Sequence, residues 1–383
     1  MHRNWLLGIA AVAFLLRLAA SGSLRNPDVW ETETIARNLV ERHAYVFKSS
    51  RAYSEPMHPF VVAAVYLVTN ENRTAVVLLQ ILVSAATVWL VGRLATSATG
   101  EPAAGIVAAS LMAVDPGLIR YSAIIHPVTF DVFFFAAAAL AIVERRVYLA
   151  AALIGLGALT RPTILLFLLP LFAIRRTVLI FVIALAIVAP WTIRNAVVFH
   201  HFVFTRSGTG FVFWLGNNPN ATGGSMDVHG RPLLRDAPPE FQARVRAAGE
   251  LERDRIFRQA AFDYIAAKPL AAVGRVAQRI YYFWWFSPEW GPQFSPRVKI
   301  IYRLWWAFLL LLFALGAFAS RALPPPRRRD VWLLVAMALL ISFVQSLYYV
   351  EGRHRLPAEA LILPMAGCGA LAPLAGRGWP KAG

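Results

Sequence analysis

The chain has 383 residues, of which 58% are hydrophobic and only 15% charged, with a mean hydropathy of +0.55. An ordinary soluble domain carries about a quarter charged residues. So little polar surface cannot cover a globule of this size, which excludes a conventional soluble domain and calls for an apolar solvent. The net charge of +17 comes mostly from arginines that punctuate apolar runs; that pattern marks membrane topology and anionic lipid contact rather than nucleic-acid binding. The single cysteine, Cys368, excludes an internal disulfide and a cysteine-based metal site.

In chain order, the apolar runs predict an all-α polytopic membrane protein with about ten transmembrane helices. Arg3 precedes a first apolar run at 5–20. It has the make-up of a cleaved signal peptide, but the many later spans favour a retained first span. The polar stretch 21–57 follows. Residues 58–68 are apolar but too short to cross, so they predict an interfacial helix. Spans two to four fall at about 74–94, 102–118 and 127–143. Two shorter runs, 147–159 and 163–174, flank Thr160, Arg161 and Pro162, and read as two spans or as one broken helix. Span seven is 177–193. A long, mostly helical outer loop, 194–300, precedes spans eight to ten at 301–319, 331–350 and 361–374. The chain thus divides into an N-terminal transmembrane module (1–193) with a functional first outer loop (21–73), the loop region 194–300, and a C-terminal transmembrane module (301–383).

Charge placement orients the spans. Arg3, Arg93, Arg145, Arg146, Arg175, Arg176, Arg321, Arg327, Arg328, Arg329, Arg377 and Lys381 collect on one side, which the positive-inside rule makes cytoplasmic. Both long polar stretches then lie outside. In the first, Ile35, Ala36 and Leu39 share a helical face, with Asn26 and Pro27 suited to a helix start. Asp28 and Glu31, three residues apart, then share another face. Two carboxylates there suit a general base with a positioning or metal-binding partner, although acids in a first turn also complement the helix dipole. Arg161, Arg194, Arg353 and Arg355 stand at outer span ends. Each alone reads as an interface anchor, but together, on the side opposite the cationic preference, they suggest an anionic ligand. His58 is also outward. Asn217 and Asn218 sit in a turn-rich segment suited to sugar hydroxyls or to the turn itself.

Several ordered motifs resemble the GT-C membrane glycosyltransferases, nearest to the branch of dolichyl-phosphate-mannose protein mannosyltransferases and lipid A aminoarabinose transferases. Asp28 with Ile35-Ala36 and Leu39 is similar to the start of that family. Glu55-Pro56-Met57-His58-Pro59 is similar to its Pro-rich entry to a membrane-lying helix. Gly155 to Pro162 resembles its Gly-Leu-Thr-Arg-Pro turn, and Pro190-Trp191-Thr192-Ile193-Arg194-Asn195 its Pro-Trp-x-x-Arg-Asn exit. Gly216-Asn217-Asn218-Pro219 and Arg353-His354-Arg355-Leu356-Pro357 complete the set. Two positions depart from it: His58 stands where many relatives have an aromatic residue, and His126-Pro127 where relatives often carry an acid.

The resemblance implies an inverting glycosyltransferase of the cell membrane, with its active site on the extracytoplasmic side. The donor would be a polyprenyl-phosphate-linked sugar, and the acceptor a hydroxyl of a protein, lipid or glycan. Asp28 would take the acceptor's proton, with Glu31 supporting it or helping to bind a divalent cation; no other cofactor is implied. Arg161, Arg194, Arg353 and Arg355 would stabilise the leaving phosphate. Membrane lipids are expected partners and nucleic acid is not. The alternatives are a transporter or flippase for a lipid-linked anion, or a surface-glycan polymerase or ligase. The absence of an obvious internal repeat favours the enzyme over the transporter.

Overall fold

The computed structural model describes residues 2–22, 29–171, 177–288, 291 and 294–375. Among these there is no β-sheet, only two isolated bridges, Phe47 with Ser50 and Met226 with Pro232. Sixteen α-helices carry the fold. The first outer loop holds α2 (Glu31–Arg42) and α3 (Met57–Thr69), between α1 (His2–Ser21) and α4 (Arg73–Thr99). Next come α5 (Pro102–Ala113), α6 (Pro116–Ser122), α7 (Val128–Val143), α8 (Val147–Ala158), a 3₁₀ segment (Pro162–Leu171) and α9 (Thr177–Phe199). The long loop supplies α10 (Thr209–Gly216), α11 (Pro239–Ala247), α12 (Glu250–Ala267) and α13 (Pro269–Trp284), and the chain continues through α14 (Pro296–Ala319), α15 (Pro325–Ser346) and α16 (Gly352–Ala375).

Helix ends follow local chemistry. Asn72 opens α4 by accepting the Thr74 amide at 2.9 Å, and Gly100 closes it at φ +80°, a left-handed turn that glycine tolerates best. Asp115 opens α6 by accepting the Leu118 amide at 2.8 Å. Lys268 and Pro269 break the amphipathic pair α12–α13 where proline cannot continue a helix.

Ten spans were expected, and a helix stands at each of those places. By length and composition, however, only α1, α4, α9, α14 and α15 are long and apolar enough to cross a membrane among the described residues. The pair α5–α6, bent by 57° at Val114–Asp115, makes a sixth if taken as one span. The helices α7 and α8 and the 3₁₀ segment fall short of the roughly 20 residues of a full span. Nearly all of α7 is buried among its neighbours, so protein rather than lipid covers it.

Close helix crossings rest on small residues. A side chain at Gly316 would strike the Met365 carbonyl, and one at Gly369 the Leu312 carbonyl, which is how α14 and α16 approach backbone to backbone. Buried Arg17 staples α1 into the bundle. It donates to Ser84 Oγ (2.7 Å), Ala13 O (3.1 Å), Ala113 O (2.8 Å) and Met112 O (3.1 Å), satisfying carbonyls left open where α5 ends.

The bundle has two distinct ends. At one, Arg93 pairs with Glu144 (2.8 Å), Arg145 with Asp330 (2.6 Å), and Arg327 with the Ser97 carbonyl. This gathers the arginine-rich short loops, as charge placement predicted; Arg175, Arg176, Arg377 and Lys381 lie outside the described residues. At the other end, the Met57 amide donates to Leu159 O at 3.0 Å, joining the Pro-rich entry of α3 to the turn at Thr160. The chain climbs through α8 from Arg146 to that turn and returns through the 3₁₀ segment, whose Pro170 and Leu171 lie beside Arg145 and Arg329. The segment is therefore a down-and-back pair rather than one broken helix.

Candidate active site at one end of the bundle

The end opposite the arginine-rich loops opens into a cavity of about 1430 Å³. Its wall is assembled from distant parts of the chain: the start of α2, the 53–58 entry to α3, α6, the turn at Thr160, the strip 204–212, and the starts of α14 and α16.

Several ties hold these pieces. Glu33 of α2, fully buried, accepts from Tyr66 Oη (2.8 Å), Arg73 (3.0 Å) and Arg37 (3.3 Å), fixing α2 on α3 and α4. Tyr45 donates to Ser54 O at 2.9 Å, and Glu250 of α12 accepts from the Arg51 and Ala52 amides and from Ser207 Oγ. Buried Arg279 of α13 donates to Ser346 O (2.6 Å), Asn217 Oδ1 (3.3 Å) and Gly216 O. Burial and the nearby Arg275 lower the pKa of Arg279 to about 10.

The cavity's arginines come with acids. Arg161 sets Nε and Nη2 each 2.8 Å from Asp131 Oδ2, in the first turn of α7. Arg353 pairs with Glu351 and donates to Tyr349 Oη at 3.2 Å. Arg355 donates to Glu359 at 2.6 Å and lies between two rings, 4.0 Å from Trp306 and 5.0 Å from Phe286. Arg206 lies 3.6 Å from Glu55 and over Tyr53. Burial would lower the Arg206 pKa, but Glu55, Tyr53, Tyr349 and Glu31 outweigh it and raise the value. Arg120, over Phe294 at 4.8 Å, and Lys299 also line the cavity and make no ion pair among the described residues. The cavity thus presents fixed cations whose own acids lock their direction, plus two cations available to an anion.

Glu31, His58, Arg161, Arg353 and Arg355 all line this one cavity. Asp28 lies outside the described residues, as do Asn26 and Pro27; the described helix starts at Glu31. Three residues stand elsewhere. Arg194 donates to Arg51 O (2.7 Å) and Asn195 Oδ1 (3.0 Å) and lies over Trp191 at 4.7 Å. Asn217 donates to Phe213 O and Leu347 O, both at 2.9 Å, and Asn218 to Trp214 O at 2.8 Å, so these amides fasten the end of α10 to α15. Sequence reasoning did not single out Arg120, Lys299, Arg206, Glu55 or Asp131 as site residues. Lys299 and Tyr302, three apart at the start of α14, were the legible hint that this helix faces a site. Among the described residues, no three His, Cys, Asp or Glu side chains are placed to hold a metal ion.

With this geometry in place, the known proteins that resemble the chain can be set beside it. The sequence profile of the family described as dolichyl-phosphate-mannose-protein mannosyltransferase matches residues 51–204, less than half of the chain. No curated protein sequence matches. Among solved structures, the oligosaccharyltransferase AglB of Archaeoglobus fulgidus, in complex with an inhibitory peptide and a dolichol-phosphate, aligns at 12% identity and a TM-score of 0.51, covering 97% of this chain and 50% of that one. The apo form of the Archaeoglobus fulgidus oligosaccharyltransferase aligns at 13% identity and a TM-score of 0.56, covering 98% and 51%. ArnT of Cupriavidus metallidurans bound to undecaprenyl phosphate aligns at 14% identity over 99% of this chain and 81% of that one, with a TM-score of 0.41, too distant to argue from. The chain has the membrane fold of the oligosaccharyltransferases and spans about half their length. The mannosyltransferase resemblance read from the motifs is matched by the profile over residues 51–204, and the solved structures share the fold.

Proposed function

We propose that the chain is a glycosyltransferase that moves a sugar from a polyprenyl-phosphate donor to an acceptor hydroxyl, with inversion, at the extracytoplasmic face of the cell membrane. The observation that carries this reading is the cavity itself. It joins fixed guanidinium groups, two cations that make no ion pair among the described residues, and an apolar-aromatic wall from α14 and the 3₁₀ segment (Trp305, Trp306, Leu165, Leu169). A lipid phosphate needs both features: cations for its charge and an apolar flank for its chain. The dolichol-phosphate in the AglB complex is a ligand of this chemistry on the same fold.

In this reading Arg120 and Lys299 receive the donor phosphate, with Arg161, Arg353 and Arg355 adding charge as the phosphate oxygen leaves. Phosphate is already a good leaving group, so stabilising its charge matters more than protonating it. Asp28 takes the proton of the attacking hydroxyl, and Glu31, at the cavity edge, supports it or helps to hold a divalent cation. The transporter reading lacks a comparable observation. Polar side chains inside the bundle, such as Arg17 and Gln80, are tied to neighbouring protein groups rather than lining a path.

Mass spectrometry of lipid-linked sugars and surface glycans in a deletion strain tests the function. A polyprenyl-phosphate sugar should accumulate while one glycan loses a residue; unchanged glycans would contradict the reading. The sidedness has its own test. Cys368 is buried, so a cysteine at exposed Glu240 in α11 gives a clean signal. Glu240→Cys should react with a membrane-impermeant maleimide in intact cells, and protection until lysis would reverse the orientation.

A further inference from the structure

Among the described residues, five buried side-chain nitrogen or oxygen atoms without a hydrogen-bond partner in the protein belong to residues lining the cavity: Trp30 Nε1, Thr32 Oγ1, His58 Nδ1, Thr163 Oγ1 and Arg206 Nε. Burying a polar atom unpaired is costly, so such a gathering around one cavity points to a polar ligand there.

The protonation of His58 can be read from its neighbours. Gln80 of α4 donates through Nε2 to Ile124 O (2.6 Å) and Ser122 O (3.4 Å), which fixes the orientation of its amide. Its Oε1 therefore accepts, taking the His126 amide at 3.3 Å and His58 Nε2 at 3.1 Å. His58 Nε2 must then carry a proton. The ring is 1% exposed and makes no ion pair with a carboxylate among the described residues, and a buried lone imidazolium is costly, so the ring is neutral. Its Nδ1 is then a bare acceptor. Trp30 packs edge-on against His126 at 5.2 Å, so the Trp30 indole N–H belongs to the same patch.

These atoms constrain the ligand. Trp30 Nε1 and Arg206 Nε donate, and any anion satisfies them. His58 Nδ1 needs a donor, which a phosphate or carboxylate oxygen lacks. A hydroxyl both donates and accepts. We propose that His58 is a specificity-determining residue whose Nδ1 accepts a hydrogen bond from one hydroxyl of the transferred sugar, with Gln80 holding it in the required tautomer. This rests on the glycosyltransferase reading and adds to it the group that senses the sugar.

The test uses the full chain in nanodiscs. In ¹⁵N-histidine NMR, the signal removed by H58Q should report the Nε2–H tautomer; the Nδ1–H tautomer or an imidazolium overturns the proposal without any ligand. Binding is then measured with polyprenyl-phosphate mannose, glucose and galactose, and with monodeoxy forms of whichever binds. Wild type should lose about tenfold in affinity for one monodeoxy form. H58Q, which can keep the contact to Gln80, should bind the parent about tenfold more weakly and no longer distinguish that form. H58N, whose side-chain oxygen sits near the Nδ1 position, should recover part of the loss. If H58Q discriminates the deoxy series as wild type does, the assignment of His58 fails while the enzyme reading stands. If wild type binds none of the three parent donors, the two fail together.

Discussion

Replacing Asp28 by asparagine is expected to lower sugar transfer by about 10²–10⁴-fold, the range typical of a lost general base, with the melting temperature nearly unchanged. An acceptor hydroxyl is a poor nucleophile until its proton is removed, and asparagine keeps the shape of the side chain while removing its basicity. Glu31→Gln should cost less if Glu31 only supports Asp28, and about as much if a divalent cation bridges the two. Transfer in proteoliposomes, with thermal melting of each variant, separates these outcomes. Full activity in Asp28→Asn would sink the assignment of the base.

The second large effect concerns Arg161. Its partner Asp131 is fully buried, and removing one member of a buried ion pair strands the other, at a cost of about 3–5 kcal/mol. Arg161→Met should therefore both destabilise the protein and weaken transfer. Adding Asp131→Asn removes the stranded charge and should restore most of the melting temperature. It should not restore activity if the Arg161 guanidinium stabilises the leaving phosphate as proposed, because that group is still missing. If the double variant recovers both, Arg161 is a structural anchor and the cavity's charge stabilisation lies with Arg120, Lys299, Arg353 and Arg355.

The helical, membrane-embedded character of the chain was legible because it depends on local quantities: apolar run length, capping residues and arginine placement. The entry of α3 near Met57 was read closely for that reason. Span count was less legible. The helix α7 satisfies its apolar surface against protein, and no run length announces that. The site was legible where a motif brought cation and turn together, as at Arg161 and Arg353. Asn217, Asn218 and Arg194 carry motif-like spacing, but Asn218 bonds to carbonyls of α10 just before it, and Asn217 and Arg194 each reach a carbonyl that only the folded chain brings near. Asp131 could not be paired with Arg161 from sequence, since thirty residues and the turn at Thr160 separate them. Arg120 and Lys299 were missed because their distinction, making no ion pair among the described residues, is a property of the assembled wall.

The most direct measurement is the fate of the donor. The purified chain in nanodiscs is supplied with polyprenyl-phosphate sugars and an acceptor extract from the deletion strain, and free polyprenyl phosphate is followed by mass spectrometry. Polyprenyl phosphate should be released in step with sugar incorporated into the acceptor, and Asp28→Asn should slow that release by about 10²–10⁴-fold. Movement of intact donor between leaflets, with no cleavage of the sugar–phosphate bond, would contradict the glycosyltransferase reading and make the chain a transporter.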